Sequence, residues 1–158
     1  MMKKAIAITL AVGIAAAVSA QEPGVLARFD GGVGVIPVQN VVRGVLPGVP
    51  WRIADLKATV DVDGRIRVIG RGLLLASGNS IGRNANQSVF ATLICEAAAP
   101  FVRHNTSVSV PLDANGDFRI DDTLTTVPAE CPSPVLLIRN NAAGVWFAAG
   151  IPKRADEK

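Results

Sequence analysis

The chain has 158 residues, 49% of them apolar, with 16 Lys and Arg against 13 Asp and Glu, one His and two Cys. That apolar content excludes a disordered charged segment, and the length suits one domain with its own core. Without Lys3 and Lys4, which fall in a segment expected to be removed, the balance drops to 14 against 13, or +1. The sequence then offers no basic stripe of the kind that attracts nucleic acid or an anionic membrane.

Met-Met-Lys-Lys opens the chain, an apolar run follows from Ala5 to Val18, and Val18-Ser19-Ala20 ends it. A basic start, a short apolar stretch and a small-x-small ending are the parts of a secretory signal peptide. The run is shorter than the ~20 residues a membrane span needs. Cleavage after Ala20 is expected, leaving one domain over residues 21–152 and a charged tail over 153–158, delivered to a bacterial periplasm or the medium with no membrane attachment. Cys95 and Cys131 are the only cysteines, so in an oxidising compartment they are expected to form a structural disulfide. Closing a loop of that length stabilises a fold by about 3–4 kcal/mol on the chain-entropy view.

The mature sequence reads as strands and turns. Strands are expected at Val33–Val38 and Val41–Leu46, followed by a clean alternation from Ala54 to Val62, with Leu56, Ala58 and Val60 on one side and Asp55, Lys57 and Thr59 on the other. Period two with one wet face is the pattern of a half-buried strand. Arg65–Val68 continues it after a turn, and the apolar run Gly72–Ala76 suggests a strand buried on both faces. Further strands are expected at Ser88–Glu96, Ser107–Leu112, Phe118–Leu124, Val135–Arg139 and Val145–Ala149. No segment carries a helical stripe. The sum is an all-β fold, a single-domain antiparallel β-sandwich of about 8–9 strands, with a closed β-barrel as the alternative.

Asp61-Val62-Asp63-Gly64 and Asp113-Ala114-Asn115-Gly116 share one turn pattern. A two-residue loop at the first would set Val60 opposite Arg67. A three-residue loop sets Val60 opposite Ile66 and Ala58 opposite Val68, and in the second motif Leu112 opposite Phe118 and Val110 opposite Ile120. Only the longer loop matches the apolar faces. It is a type I turn followed by a left-handed residue, which Gly supplies.

Three polar connections are the natural places for a binding site on a rigid scaffold. Ser77–Gln87 holds Asn79, Arg83, Asn84 and Asn86; Ala97–Thr106 holds Arg103 and His104; Thr125–Pro134 holds Glu130, Cys131 and three prolines. Trp51, after Pro50, is the aromatic side chain most open to a ligand role, whereas Trp146 lies in an apolar strand and reads as core. His104 is the only imidazole base, and its polar neighbours place it on the surface. No Gly-x-Ser-x-Gly elbow accompanies it. Asp113, Asn115, Asp117 and Asp121 occupy positions 1, 3, 5 and 9 of a calcium-type loop, but Phe118 stands where the bend needs Gly and Leu124 where a bidentate acid is needed. Zinc would need more His or Cys, and no phosphate loop is present, so no cofactor is expected.

The resulting expectation is a non-catalytic binding or structural module acting on an extracytoplasmic protein or small ligand. The alternatives are a secreted hydrolase built from loop acids or His104, and a calcium-stabilised module using residues 113–121.

Overall fold

The computed structural model describes residues 24–36 and 40–154. The expected signal peptide, residues 37 and 38 of the first expected strand, and residues 155–158 of the tail lie outside that range. Within it the chain forms strands β1 (Val25–Gly34), β2 (Trp51–Arg52), β3 (Asp55–Asp61), β4 (Arg65–Arg71), β5 (Leu74–Leu75), β6 (Ser88–Ile94), β7 (His104–Asn105), β8 (Val110–Pro111), β9 (Phe118–Thr123), β10 (Val135–Asn140) and β11 (Trp146–Lys153), and no helix. Nine of them make one antiparallel sheet in the order β7-β6-β10-β11-β1-β3-β4-β9, with β8 also on β6; β2 and β5 pair separately. The sheet curls into a half-barrel. Its two halves face each other across the core, so the layers expected of a sandwich are parts of one sheet.

The inward positions follow from alternation. Leu56 and Val60 of β3, Ile66 and Val68 of β4, and Ile120 of β9 are fully or almost fully buried and meet Leu93, Leu136 and Ile138 from the other half. Each such side chain contributes about 1.5–3 kcal/mol relative to exposure. The β3–β4 register sets Val60 opposite Ile66 and Ala58 opposite Val68, as the three-residue loop requires, and Gly64 takes φ 88° at its left-handed site. Cys95 and Cys131 form the disulfide and link the end of β6 to the loop before β10.

Several expected strands are corrected. Val41–Leu46 is a tight turn, because Arg43 and Gly44 both take positive φ (48° and 77°) and Val42 and Val45 exchange backbone hydrogen bonds across them. Two left-handed residues in sequence make a type I′ reversal, which the valines conceal. Gly72–Ala76 keeps only β5, and Ser107–Leu112 only β8. The second turn motif closes as expected, with Gly116 N–H on Asp113 O at 3.0 Å and Asp113 N–H on Asp117 O at 3.0 Å. Its flanking strands then part: Val110 pairs with Val89 of β6, and Ile120 with Val68 of β4. β1 begins eight residues before the expected Val33, and β11 runs through Lys153, one residue past the expected domain boundary.

The parting of β8 and β9 creates a seam where the two sheet edges approach. Thr106 bridges Leu124, and Thr125 N–H donates to Asn105 O at 2.8 Å. Asp122 fastens the same seam. It shares the inward parity of Phe118 and Ile120, where a carboxylate needs partners, and it accepts from Ser107 N–H (2.7 Å), Ser107 Oγ (2.9 Å), Val108 N–H (3.1 Å) and Thr123 N–H (2.7 Å). Burial works to raise its pKa. The Thr123, Ser107 and Val108 hydrogen bonds outweigh burial and hold the carboxyl below the ordinary value of 3.8.

Candidate functional site

The outward face of β11-β1-β3-β4-β9 carries most of the charge on the sheet. Alternation places Arg28 and Asp30 of β1, Asp55, Lys57 and Asp61 of β3, Arg65, Arg67 and Arg71 of β4, Arg119 and Asp121 of β9, and Lys153 of β11 on this side. The ladder lines them up across strands: Lys153 lies beside Arg28, Arg28 beside Thr59, Thr59 beside Arg67, and Arg67 beside Asp121. A second row runs Asp30, Lys57, Ile69, Arg119. Seven cations thus face four carboxylates. The remaining described residues carry six of each, so the excess positive charge of the described chain is collected on one face.

Three ion pairs form there: Arg65 with Asp121 and Arg67 with Asp61, both at 3.3 Å, and Lys153 with Asp30 at 3.1 Å. Arg28, Lys57, Arg71 and Arg119 make no ion pair among the described residues. A shallow depression of about 380 Å³ lies in the middle of the face, between Arg28, Lys57, Arg67 and Lys153. No exposed aromatic side chain lies on this face, since Trp146 of β11 is buried, so the surface presents charge and guanidinium forks but no stacking platform for bases or sugar rings.

The residues singled out in the sequence lie elsewhere. Trp51 is 3% exposed and stacks on Phe147 with ring centroids 4.1 Å apart, so it is core and offers no platform. His104 is likewise buried, which corrects its expected surface position; it shares the inward side of Leu93. Its Nδ1 lies 3.0 Å from Thr126 O and 2.9 Å from Thr126 Oγ1. A carbonyl only accepts, so the tautomer that satisfies this contact carries its proton on Nδ1 and offers no base to the Thr126 hydroxyl. Arg103 donates to Gly44 O at 2.8 Å, tying its loop to the Arg43-Gly44 turn.

Asn84 holds its loop against Leu112 O and Asp113 O (3.2 and 2.9 Å), and its own Oδ1 accepts from Asn86 N–H at 3.0 Å. Asn79 and Arg83 are exposed. The calcium-type residues do not converge. Asp113 accepts from Asn115 and Asp117 N–H within its own turn, Asp117 accepts from Gly72 N–H at 3.0 Å, and Asp121 is paired with Arg65. Among the described residues no three His, Cys, Asp or Glu side chains come together as a metal site.

Arg139 escaped the sequence reading because it sits in the apolar run of β10. It is buried, donates from Nε to Gly144 O (2.7 Å) and from Nη1 to Thr92 Oγ1 (3.2 Å), and lies 5.1 Å over the Phe90 ring. Burial, and secondarily the Arg103 charge, lower its pKa. A lone Arg closing the run Val-Leu-Leu-Ile inside a strand was the available signal. Glu96 near the same loop is held below the ordinary carboxylate value chiefly by Val102 N–H at 3.2 Å.

No protein-family model, curated protein or solved structure matches the chain.

Proposed function

We propose that the protein is an exported, non-catalytic binding module that holds an anionic extracytoplasmic partner on the outward face of β11-β1-β3-β4-β9. The single observation behind this reading is the segregation of charge: the excess of cations falls on one side of the sheet, and four of those cations make no ion pair among the described residues. Arginine suits the role because its fork matches carboxylate, sulfate and phosphate oxygens in pairs. The reading of residues 1–20 as a signal peptide and the Cys95–Cys131 disulfide support export. The non-catalytic reading is supported by the site chemistry: His104 is turned inward onto a carbonyl, and Ser107 Oγ donates directly to the Asp122 carboxylate with no imidazole between them.

Salt-dependent retention on a sulfated polysaccharide matrix tests this. Reversing Lys57 and Arg119 to Glu should shift elution to markedly lower salt. Reversing Arg83 and Arg103, which are exposed on loops outside the five strands, changes net charge by the same amount and should shift it far less. Equal shifts from the two double variants would remove the face as the binding surface.

A further inference from the structure

A groove of about 780 Å³ opens at the end of the half-barrel, where the start of β1, the end of β11 and the disulfide loop meet. Its floor is set by a fault in the ladder. The β1–β3 register passes from Val25 opposite Asp61 to Ala27 opposite Val60, leaving Leu26 as the extra residue of a bulge. A bulge re-aims the side chain it carries and favours barrel rims. Leu26 and Cys131 are half-buried and pack against the main core from this end, and both line the groove with Ala27. The walls are Pro132, Pro134 and Pro152. Proline offers no N–H, so these walls give an apolar guest shape and few hydrogen bonds.

At the mouth stand Arg28, Lys153 and Arg154, and among the described residues no carboxylate lines the groove. Lys153 is already paired with Asp30, whereas Arg28 and Arg154 have no ion pair among the described residues. A recessed apolar trough of ligand size with cations on its rim complements one kind of molecule. We propose that the groove takes the alkyl chain of a free single-chain anionic amphiphile, of the fatty-acid type, with its head group at Arg28 and Arg154. A bilayer surface fits less well, because membrane attachment uses apolar side chains that protrude, whereas Leu26, Ala27 and Cys131 at the floor are buried or half-buried. The head-group half of this inference rests on the reading of the outward face, since Arg28 belongs to both; the groove itself does not.

Titration calorimetry of the purified full chain with decanoate, below its micellar concentration, tests the inference against decanol of equal chain length. Decanoate should bind at one site, and decanol at least about tenfold more weakly, because a charge-assisted hydrogen bond is lost. Pro132→Glu places a carboxylate on an exposed loop position in the wall and should weaken decanoate by about tenfold or more, while retention on the sulfated matrix stays as in the native protein. Arg154→Ala should weaken decanoate several-fold and leave decanol unchanged. Decanol binding as tightly as decanoate, or decanoate binding untouched by Pro132→Glu, would overturn the proposal. No decanoate binding with salt-dependent retention intact would overturn the groove alone and leave the face standing. Loss of both would remove the two readings together.

Discussion

The sheet has two outer surfaces that differ in kind. Over β6 and β10 the outside is roofed: Ile94, Leu137 and Trp146 are buried there beneath Val35 and Val45 of the segment between β1 and β2, with Phe101 at the margin. Trp146 fixes the roof three ways, through its Nε1 on Asn40 O (3.0 Å), its N–H on Leu46 O (2.9 Å) and its carbonyl under Gly48 N–H (2.9 Å). Over β1, β3, β4 and β9 the outside is bare and holds arginines. β11 belongs to both, running from buried Trp146 to half-buried Lys153. One surface was used to complete the fold, and the other was left free for charge. Strands under the roof read as continuous apolar runs, and bare ones alternate.

The widest gap between the two surfaces should appear on truncating a residue under the roof. Trp146→Ala removes a buried indole and is expected to destabilise the protein by about 3–5 kcal/mol, read from the urea midpoint at unchanged slope. A loss below about 1 kcal/mol would mean that the roof packs loosely and that the contrast is one of sequence only.

The halves are joined at the seam, and Asp122 is the group to test there. Asp122→Asn keeps the size and loses the charge; with its several donors discounted for partial exposure, it should reduce stability by about 1–2 kcal/mol at neutral pH. The folded carboxyl lies below its ordinary value of 3.8. Its contribution is therefore complete above that value and is lost as pH falls through the folded pKa. The gap between native and variant proteins should be constant at neutral pH and close in acid. A gap that widened in acid would contradict the assignment.

What was legible followed physical range. The first turn motif gave both its loop and its register, because Val60 and Ile66 are close in sequence and their apolar faces admit one alignment. The second motif has the same local chemistry and forms the same turn, yet β9 goes to β4 and β8 to β6. That choice is made by partners tens of residues away, which no local pattern encodes. Trp51 and Trp146 divide similarly. Trp146 lies within an apolar run and was legible as core; Trp51 follows a proline, and its burial depends on Phe147 arriving from the other end of the chain. The disulfide was legible by arithmetic alone. The charged face was not: a net charge near zero conceals an excess on one side balanced by nothing local, and the strands that carry it are joined only by the topology. The groove escaped for the same reason, since β1 begins in a segment that carried no expected strand and its bulge becomes visible only against β3.

The smallest effect sharpens the comparison most. Arg67 and Asp61 form an ion pair on the bare face at 3.3 Å, and the arginine side chain is 49% exposed. Such pairs contribute little, because water already solvates the guanidinium and ordering two flexible side chains offsets the attraction. Arg67→Ala should change stability by no more than about 0.5 kcal/mol. The same substitution removes a fork from the middle of the cationic rows and should lower the salt needed to elute the protein from a sulfated matrix. If Arg67→Ala instead unfolded the protein as Trp146→Ala does, the arginines would be part of the scaffold, and the bare surface would have the same role as the roofed one. Unchanged stability with weakened retention is what separates a surface kept for a partner from one consumed by folding.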